Sequence, residues 1–82
     1  MPKNPVMAAY YFEIAANLGD PDAQNDLGFC YAHGHGVKKD LYKAAMYYRM
    51  AARQGQGIVG NSWIWKDKYS VVETHGWGSK AS

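Results

Sequence analysis

Small and apolar residues recur along this chain with the period of an α-helix. Ala44, Tyr47, Tyr48, Ala51 and Ala52 fall at i, i+3, i+4, i+7 and i+8, a stripe that belongs to a helix and not to a strand. The same stripe occurs once before. Residues 8–19 read AAYYFEIAANLG and residues 44–55 read AAMYYRMAARQG, an offset of 36 at which six of twelve positions are identical. These are Ala8/Ala44, Ala9/Ala45, Tyr11/Tyr47, Ala15/Ala51, Ala16/Ala52 and Gly19/Gly55. The register extends upstream, where Lys39-Asp40 falls on Lys3-Asn4. Asp and Asn cap helices by accepting from the free first-turn N–H groups. Pro5 suits the first helical position, where its missing N–H costs nothing. Gly19 and Gly55 stand where a left-handed cap would end each helix.

A further helix fits between the copies. Asp20 caps it and Pro21 opens it, and Ala23, Leu27, Cys30 and Tyr31 share one face at 100° per residue. Gly28 lies at the edge of that face. Glycine in mid-helix costs roughly 1 kcal/mol against alanine, and its expected use is to let a neighbouring helix come close. The pattern predicts helices over residues 4–18, 21–33 and 40–54, then a weaker segment from 58 to 69. The tail from 70 to 82 has no helical period and is expected to fray or extend. Short connections imply antiparallel neighbours. The fold class is therefore all-α: antiparallel helix-turn-helix repeats forming a short α-solenoid.

Length and charge narrow the function. At 82 residues the chain is one small domain at most. Net charge is +2 with signs mixed, which leaves no basic footprint for nucleic acid and no polybasic membrane patch. No apolar run reaches the roughly 20 residues of a membrane helix, and the first residues lack a signal-peptide core. A single cysteine cannot form an internal disulfide. Together these predict a cytoplasmic protein.

The joint motif resembles the Sel-one-like repeat, a relative of the tetratricopeptide repeat. Its elements here are Ala23, Leu27-Gly28, Tyr31, Gly34-His35-Gly36-Val37, Lys39-Asp40 and Ala44 through Gly55. Tetratricopeptide repeats run to about 34 residues and lack the Gly-x-Gly-Val-x-Lys-Asp corner, so the offset of 36 favours the Sel-one type. The resemblance implies one complete repeat at 20–55, preceded at 2–19 by the second helix of a truncated one. Residues 56–69 would then be a partial or capping segment. There the register puts Trp63 at the Leu27 position and Ile64 at the Gly28 position, a departure that sets a bulky side chain where helices should cross closely. Residues 60–69 resemble the terminal region of fungal Sel-one-repeat proteins such as chitin synthase activators. That likeness implies a regulatory or activating subunit that binds a larger enzyme.

Several residues are candidates for chemistry. Cys30, His33 and His35 could hold zinc, but a structural site needs four ligands, and the remaining histidine, His75, is in the tail. Cys30 beside histidine could also be a thiol nucleophile, although a cysteine facing Leu27 and Tyr31 behaves as a small apolar residue. In the resembling family His33 and His35 occupy variable positions of a corner. Gly34 and Gly36 would turn that corner, Val37 would pack back, and Asp40 would start the next helix. Asp20, Asp22 and Asp26 read as helix N-terminal charge. Tyr10, Tyr11, Phe12, Tyr47 and Tyr48 read as core packing between adjacent repeats, since base stacking would want more positive charge.

Partner binding is the stronger expectation. In arrays of the resembling kind the first helix of each repeat lines the concave surface. On residues 21–33 the face opposite Leu27 carries Asp22, Asn25, Phe29 and Ala32, with Asp26 and His33 beside it. Phe29 is a large apolar residue on a face that should be wet. Trp63 and Trp65 either cap the open end of the array or form a hot spot for a partner. About three repeats are expected for independent stability, so the chain is expected to continue a longer array or to self-associate. Two readings result. One is a non-catalytic scaffold or adaptor that binds a protein partner, with no cofactor, no nucleic acid and no membrane insertion. The other is a small metal or thiol protein using Cys30, His33 and His35.

Overall fold

The computed structural model describes residues 4–56 and 62–71. Expectations for residues 2–3, 57–61 and the tail beyond 71 lie outside the described residues. Three α-helices occupy the predicted places: α1 (Pro5–Asn17), α2 (Pro21–His33) and α3 (Leu41–Arg53). Two short 3-10 turns follow, η1 (Ser62–Trp65) and η2 (Asp67–Tyr69).

The helix ends explain the boundaries. Each helix opens on a carboxylate or amide cap. The side chain of Asn4 accepts from the Val6 N–H, that of Asp20 from Asp22, and that of Asp40 from Tyr42 and Lys43. These bonds satisfy donors that the first turn leaves without partners. Helices α1 and α3 close alike. The N–H of Gly19 bonds the Ala16 carbonyl and that of Asp20 bonds Ala15; Gly55 bonds Ala52 and Gln56 bonds Ala51. This two-bond cap is the Schellman pattern, written twice at an offset of 36.

Helix α2 lies against both neighbours. Leu27, Cys30 and Tyr31 meet Ala9 and Ala16 of α1 and Ala44, Ala45, Tyr47 and Tyr48 of α3 in one core. Small residues let the helices approach. A Cβ at Gly28 would lie 2.8 Å from the Tyr48 ring, so the mid-helix glycine serves the close crossing expected of it. The rings of Tyr31 and Tyr47 stack at 5.9 Å, only 5° from parallel. Polar bonds join the three helices at one end. Gln24, buried, donates to the Ala16 carbonyl at 3.1 Å. Gln54 donates to Gln24 Oε1 at 2.8 Å and to the Gly19 carbonyl at 3.0 Å.

The expected packing of the aromatic pairs holds for one copy only. Tyr47 is 6% exposed, but its counterpart Tyr11 is 52% exposed; Tyr10 is also exposed, and Phe12 is half-buried. The reason is positional. In α3 this face is covered by α2, whereas no described element lies on the same face of α1. Met7, Tyr11, Ile14 and Leu18 form an exposed apolar stripe there.

The corner between α2 and α3 turns on Gly34 and Gly36, at φ 69° and 79°. The His35 N–H bonds the Cys30 carbonyl, and the Asp40 N–H bonds Tyr31. Val37 packs against the core. The two glycines differ in what they require. A Cβ at Gly34 would meet the Lys39 side chain at 3.4 Å, a tolerable contact, whereas one at Gly36 would overlap the Pro5 backbone carbonyl. Gly34 needs only positive φ, which asparagine accepts. Gly36 needs positive φ and empty space, since its backbone lies directly on the start of α1. Gly34→Asn should therefore cost less than about 1 kcal/mol, whereas Gly36→Ala should cost about 2 kcal/mol or more; urea unfolding of the two variants checks the order.

Tyr47 gives the core a pH dependence. Burial first, then the charges of Glu13 and Tyr31, push its phenol up to about 12 from 10.0. The folded state thus holds this proton more tightly than the unfolded chain. Stability from this group is complete below pH 10 and is lost as pH rises toward 12, on the order of 2 kcal/mol in all. Tyr47→Phe should flatten that alkaline limb in thermal melts taken between these pH values.

Candidate partner-binding face

The outward face of α2 is a straight stripe. Asp22, Asp26, Phe29 and His33 follow at intervals of four, three and four residues, which keeps them in line along a helix. All four are exposed, with half-buried Asn25 and Ala32 beside them. The inward positions 23, 27, 28, 30 and 31 are buried, so the rest of α2 is committed to the core. Phe29 is 49% exposed. Its ring lies 4.4 Å from the His33 ring and 6.2 Å from the His35 ring.

The stripe is acidic at its N-terminal end. Asp20 and Asp22 lie close enough to Asp26 to raise the pKa of its carboxyl, after the larger effect of partial burial. One oxygen of Asp22 accepts from the Gln56 amide at 2.6 Å.

At the other end the stripe runs into a cavity. His33 and Ala32 form one wall; Leu41, Tyr48, Trp63 and Tyr69 form the rest, around about 370 Å³ open to solvent. The aromatic walls brace one another edge to face. Trp63 meets Tyr48 at 6.2 Å and Tyr69 at 5.4 Å, and Tyr69 meets Tyr42 at 5.0 Å.

Trp63 reaches this cavity because Arg49 holds its segment. The Arg49 side chain is buried on α3 and donates from Nε to the Ile64 carbonyl at 2.6 Å and from an Nη to the Lys66 carbonyl at 3.4 Å. Burial lowers its pKa. Ile64 inserts beneath, fully buried. In a 3-10 turn residues two apart diverge by about 240°, so Trp65 points elsewhere. It is half exposed, with the Arg49 guanidinium 5.0 Å from its ring. Among the expected contact residues, then, Phe29, His33 and Trp63 gather around one surface. Asp22 and Asn25 lie farther along α2, and Trp65 does not line the cavity.

Leu41, Tyr48 and Tyr69 were not among the expected site residues. Tyr48 carried a repeat signal that reads as core. Tyr69 sits in a segment without period, where only its aromatic character marked it.

Cys30, His33 and His35 do not gather. The thiol is buried in the core, and burial followed by the Asp26 charge pushes its pKa up, opposite to what an activated thiolate needs. Both imidazoles lie against Phe29. Among the described residues no group of three His, Cys, Asp or Glu side chains could hold a metal ion.

These features define an all-α helical-repeat module with an acidic and aromatic exposed face on α2. The chain belongs to the Sel1 repeat family, whose model matches residues 1–20 and 21–56. Repeats of this family generally mediate protein–protein interaction and are typically non-catalytic. The mitosis inhibitor nif1 of Schizosaccharomyces pombe is 34% identical over 70 residues, 84% of this chain and 10% of that protein. Protein DSF2 of Saccharomyces cerevisiae is 38% identical over 60 residues, 72% of this chain and 8% of its own length. HRD3B of Arabidopsis thaliana, an ERAD-associated E3 ubiquitin-protein ligase component, is 48% identical over 42 residues, 51% of this chain and 7% of that protein. The chain thus spans about a tenth or less of the length of these relatives. No solved structure matches it significantly. Among the described residues no helix is long and apolar enough to cross a membrane.

Arg49→Met should release the η1 and η2 turns from α3. The loss should be about 1–3 kcal/mol, because two carbonyls lose a charged donor, and native-state hydrogen exchange should show the Lys66 and Tyr69 amides speeding up ahead of those in α2.

Proposed function

We propose that this chain is a non-catalytic scaffold module that binds a protein partner through the outward face of α2. The observation that carries the reading is Phe29. A phenylalanine half open to water, aligned with two imidazoles and leading to an aromatic-walled cavity, is the kind of anchor that dominates recognition surfaces. Asp22, Asn25 and His33 flank it. Trp63 forms part of the same surface while covering α3, and Trp65 offers a separate contact.

The finer reading is a regulatory or activating subunit of a larger enzyme. Chitin synthase is the example that the resemblance of residues 60–69 suggests. The relative named as a ligase component is likewise part of a larger assembly. One cysteine and no disulfide fit a reducing, cytoplasmic setting. The uncovered stripe on α1 supports continuation of the array by another repeat helix, because α2 covers the matching face of α3.

Phe29→Ala should weaken capture of partner proteins from an extract of the source organism by about tenfold, as for a hot-spot truncation, with identities read by mass spectrometry. Its melting temperature should stay within about 4 °C of the wild type, a shift corresponding to less than about 1 kcal/mol. A large drop in stability with unchanged capture would make Phe29 a core residue and overturn the reading.

A further inference from the structure

The α2 stripe is polar at one end and apolar at the other, and this asymmetry specifies a ligand. We propose that the surface takes a peptide segment bearing one bulky aliphatic or aromatic side chain and one lysine or arginine. The apolar group seats in the cavity walled by Leu41, Tyr48, Trp63 and Tyr69, and the base lies against Asp22 and Asp26. The proposal rests on the reading of the α2 face as the partner surface.

The cavity supplies the first half. Its volume of about 370 Å³ falls in the range of formed ligand pockets, roughly 300–1,000 Å³. Aromatic and aliphatic groups make most of its wall, and Ala32 keeps the side facing α2 low. Phe29 and His33 form an aromatic shelf leading to it, with rings 4.4 Å apart. A bulky side chain in the cavity would bury apolar surface on several sides, whereas a charged one would lose its hydration with no counter-charge among the lining residues.

The carboxylates supply the second half. Asp22 and Asp26 stand one turn apart on the exposed face, with Asp20 beside them. Their mutual repulsion is felt at Asp26, and an incoming cation relieves it. Carboxylate oxygens have acceptor capacity beyond the Gln56 bond that Asp22 already receives. Lys38, Lys39 and Lys43 line the corner beside Tyr31 and Asp40, and Lys68 lies over the Tyr69 ring at the cavity end of the surface. Charge complementarity therefore favours a basic group at this end of α2.

The helix fixes the spacing. From His33 back to Asp26 is seven residues, about 10 Å of helix, and to Asp22 eleven residues, about 16 Å. An extended peptide crosses that distance in about three to five residues.

The test is selection of random dodecapeptides displayed on phage against the wild-type protein, followed by fluorescence polarisation with the winning synthetic peptides. The expected motif pairs Leu, Met, Phe or Trp with Lys or Arg at that separation. Affinity should fall about tenfold in Phe29→Ala and in Leu41→Ser. It should fall about fivefold in the double variant Asp22→Asn/Asp26→Asn, with a weaker dependence on salt. Circular dichroism melts establish that each variant is folded. Winners lost on Phe29→Ala but acidic, or indifferent to Asp22→Asn/Asp26→Asn, overturn the proposal and leave the α2 face standing. Winners indifferent to Phe29→Ala overturn both. Failure to enrich any peptide overturns the proposal as well.

Discussion

The close approach of α2 to α3 at Gly28 sets the position of nearly everything else. A side chain there would enter the Tyr48 ring at 2.8 Å, so the ring can lie against the α2 backbone only because position 28 has no Cβ. Tyr48, once seated, becomes the floor of the aromatic cavity and the surface on which Trp63 packs. Trp63 in turn bears on Tyr69, and Tyr69 on Tyr42 in the first turn of α3. A line of contacts thus runs from one missing methyl group to the exposed surface. The glycine weakens α2 as an isolated helix; the burial of Tyr48, Tyr47 and Leu27 that it permits contributes more, at about 1.5–3 kcal/mol for each large apolar side chain.

The same contact explains where the repeat stops being regular. Position 64 is the counterpart of Gly28 one period on, and it is isoleucine. An isoleucine cannot let a helix lie close, but it can fill a hole. Ile64 does so, fully buried against α3, and its segment forms short 3-10 turns in place of a helix crossing. The turns need another tether, and the Arg49 side chain provides it by donating to carbonyls at both ends of the Ile64–Lys66 stretch. In the first copy the position of Arg49 is Glu13, which has no such segment to hold.

Helix number, boundaries and capping were legible in the sequence because they depend on local rules: Asn4, Asp20 and Asp40 cap their own helices, and Gly19 and Gly55 end them. Burial of the α2 face was legible for the same reason, through the period of Ala23, Leu27, Cys30 and Tyr31. The surroundings of α1 were not. Identical stripes at Tyr11 and Tyr47 meet different neighbours, and periodicity states which face is apolar without stating what covers it. The site was half legible. Phe29 stood out as an apolar residue on a wet face, and Trp63 as a tryptophan that either caps the array or meets a partner. Leu41, Tyr48 and Tyr69 come together only through tertiary contacts among three elements. The histidines of "HGHG" looked like ligands because spacing in a sequence says nothing of direction. Cys30 turns inward on α2, while His33 and His35 lie over Phe29.

We propose recognition on α2 because of how the repeat divides its residues. A helix between two others has little surface left. Positions 23, 27, 28, 30 and 31 face the core, and Asp20, Pro21 and Gly34 are committed to the helix ends. What remains open is one narrow stripe, Asp22, Asp26, Phe29 and His33. Asp22 suits the first turn of α2 and accepts from Gln56, but nothing in the packing of the module calls for the aromatic shelf at the other end. At Phe29 and His33 the structural demands would be met equally well by lysine or serine, because exposed polar residues there leave the core intact. An apolar residue half open to water contributes little to folding and favours association. The aromatic surface on α2 is therefore more than the fold itself requires, which supports the proposed partner face.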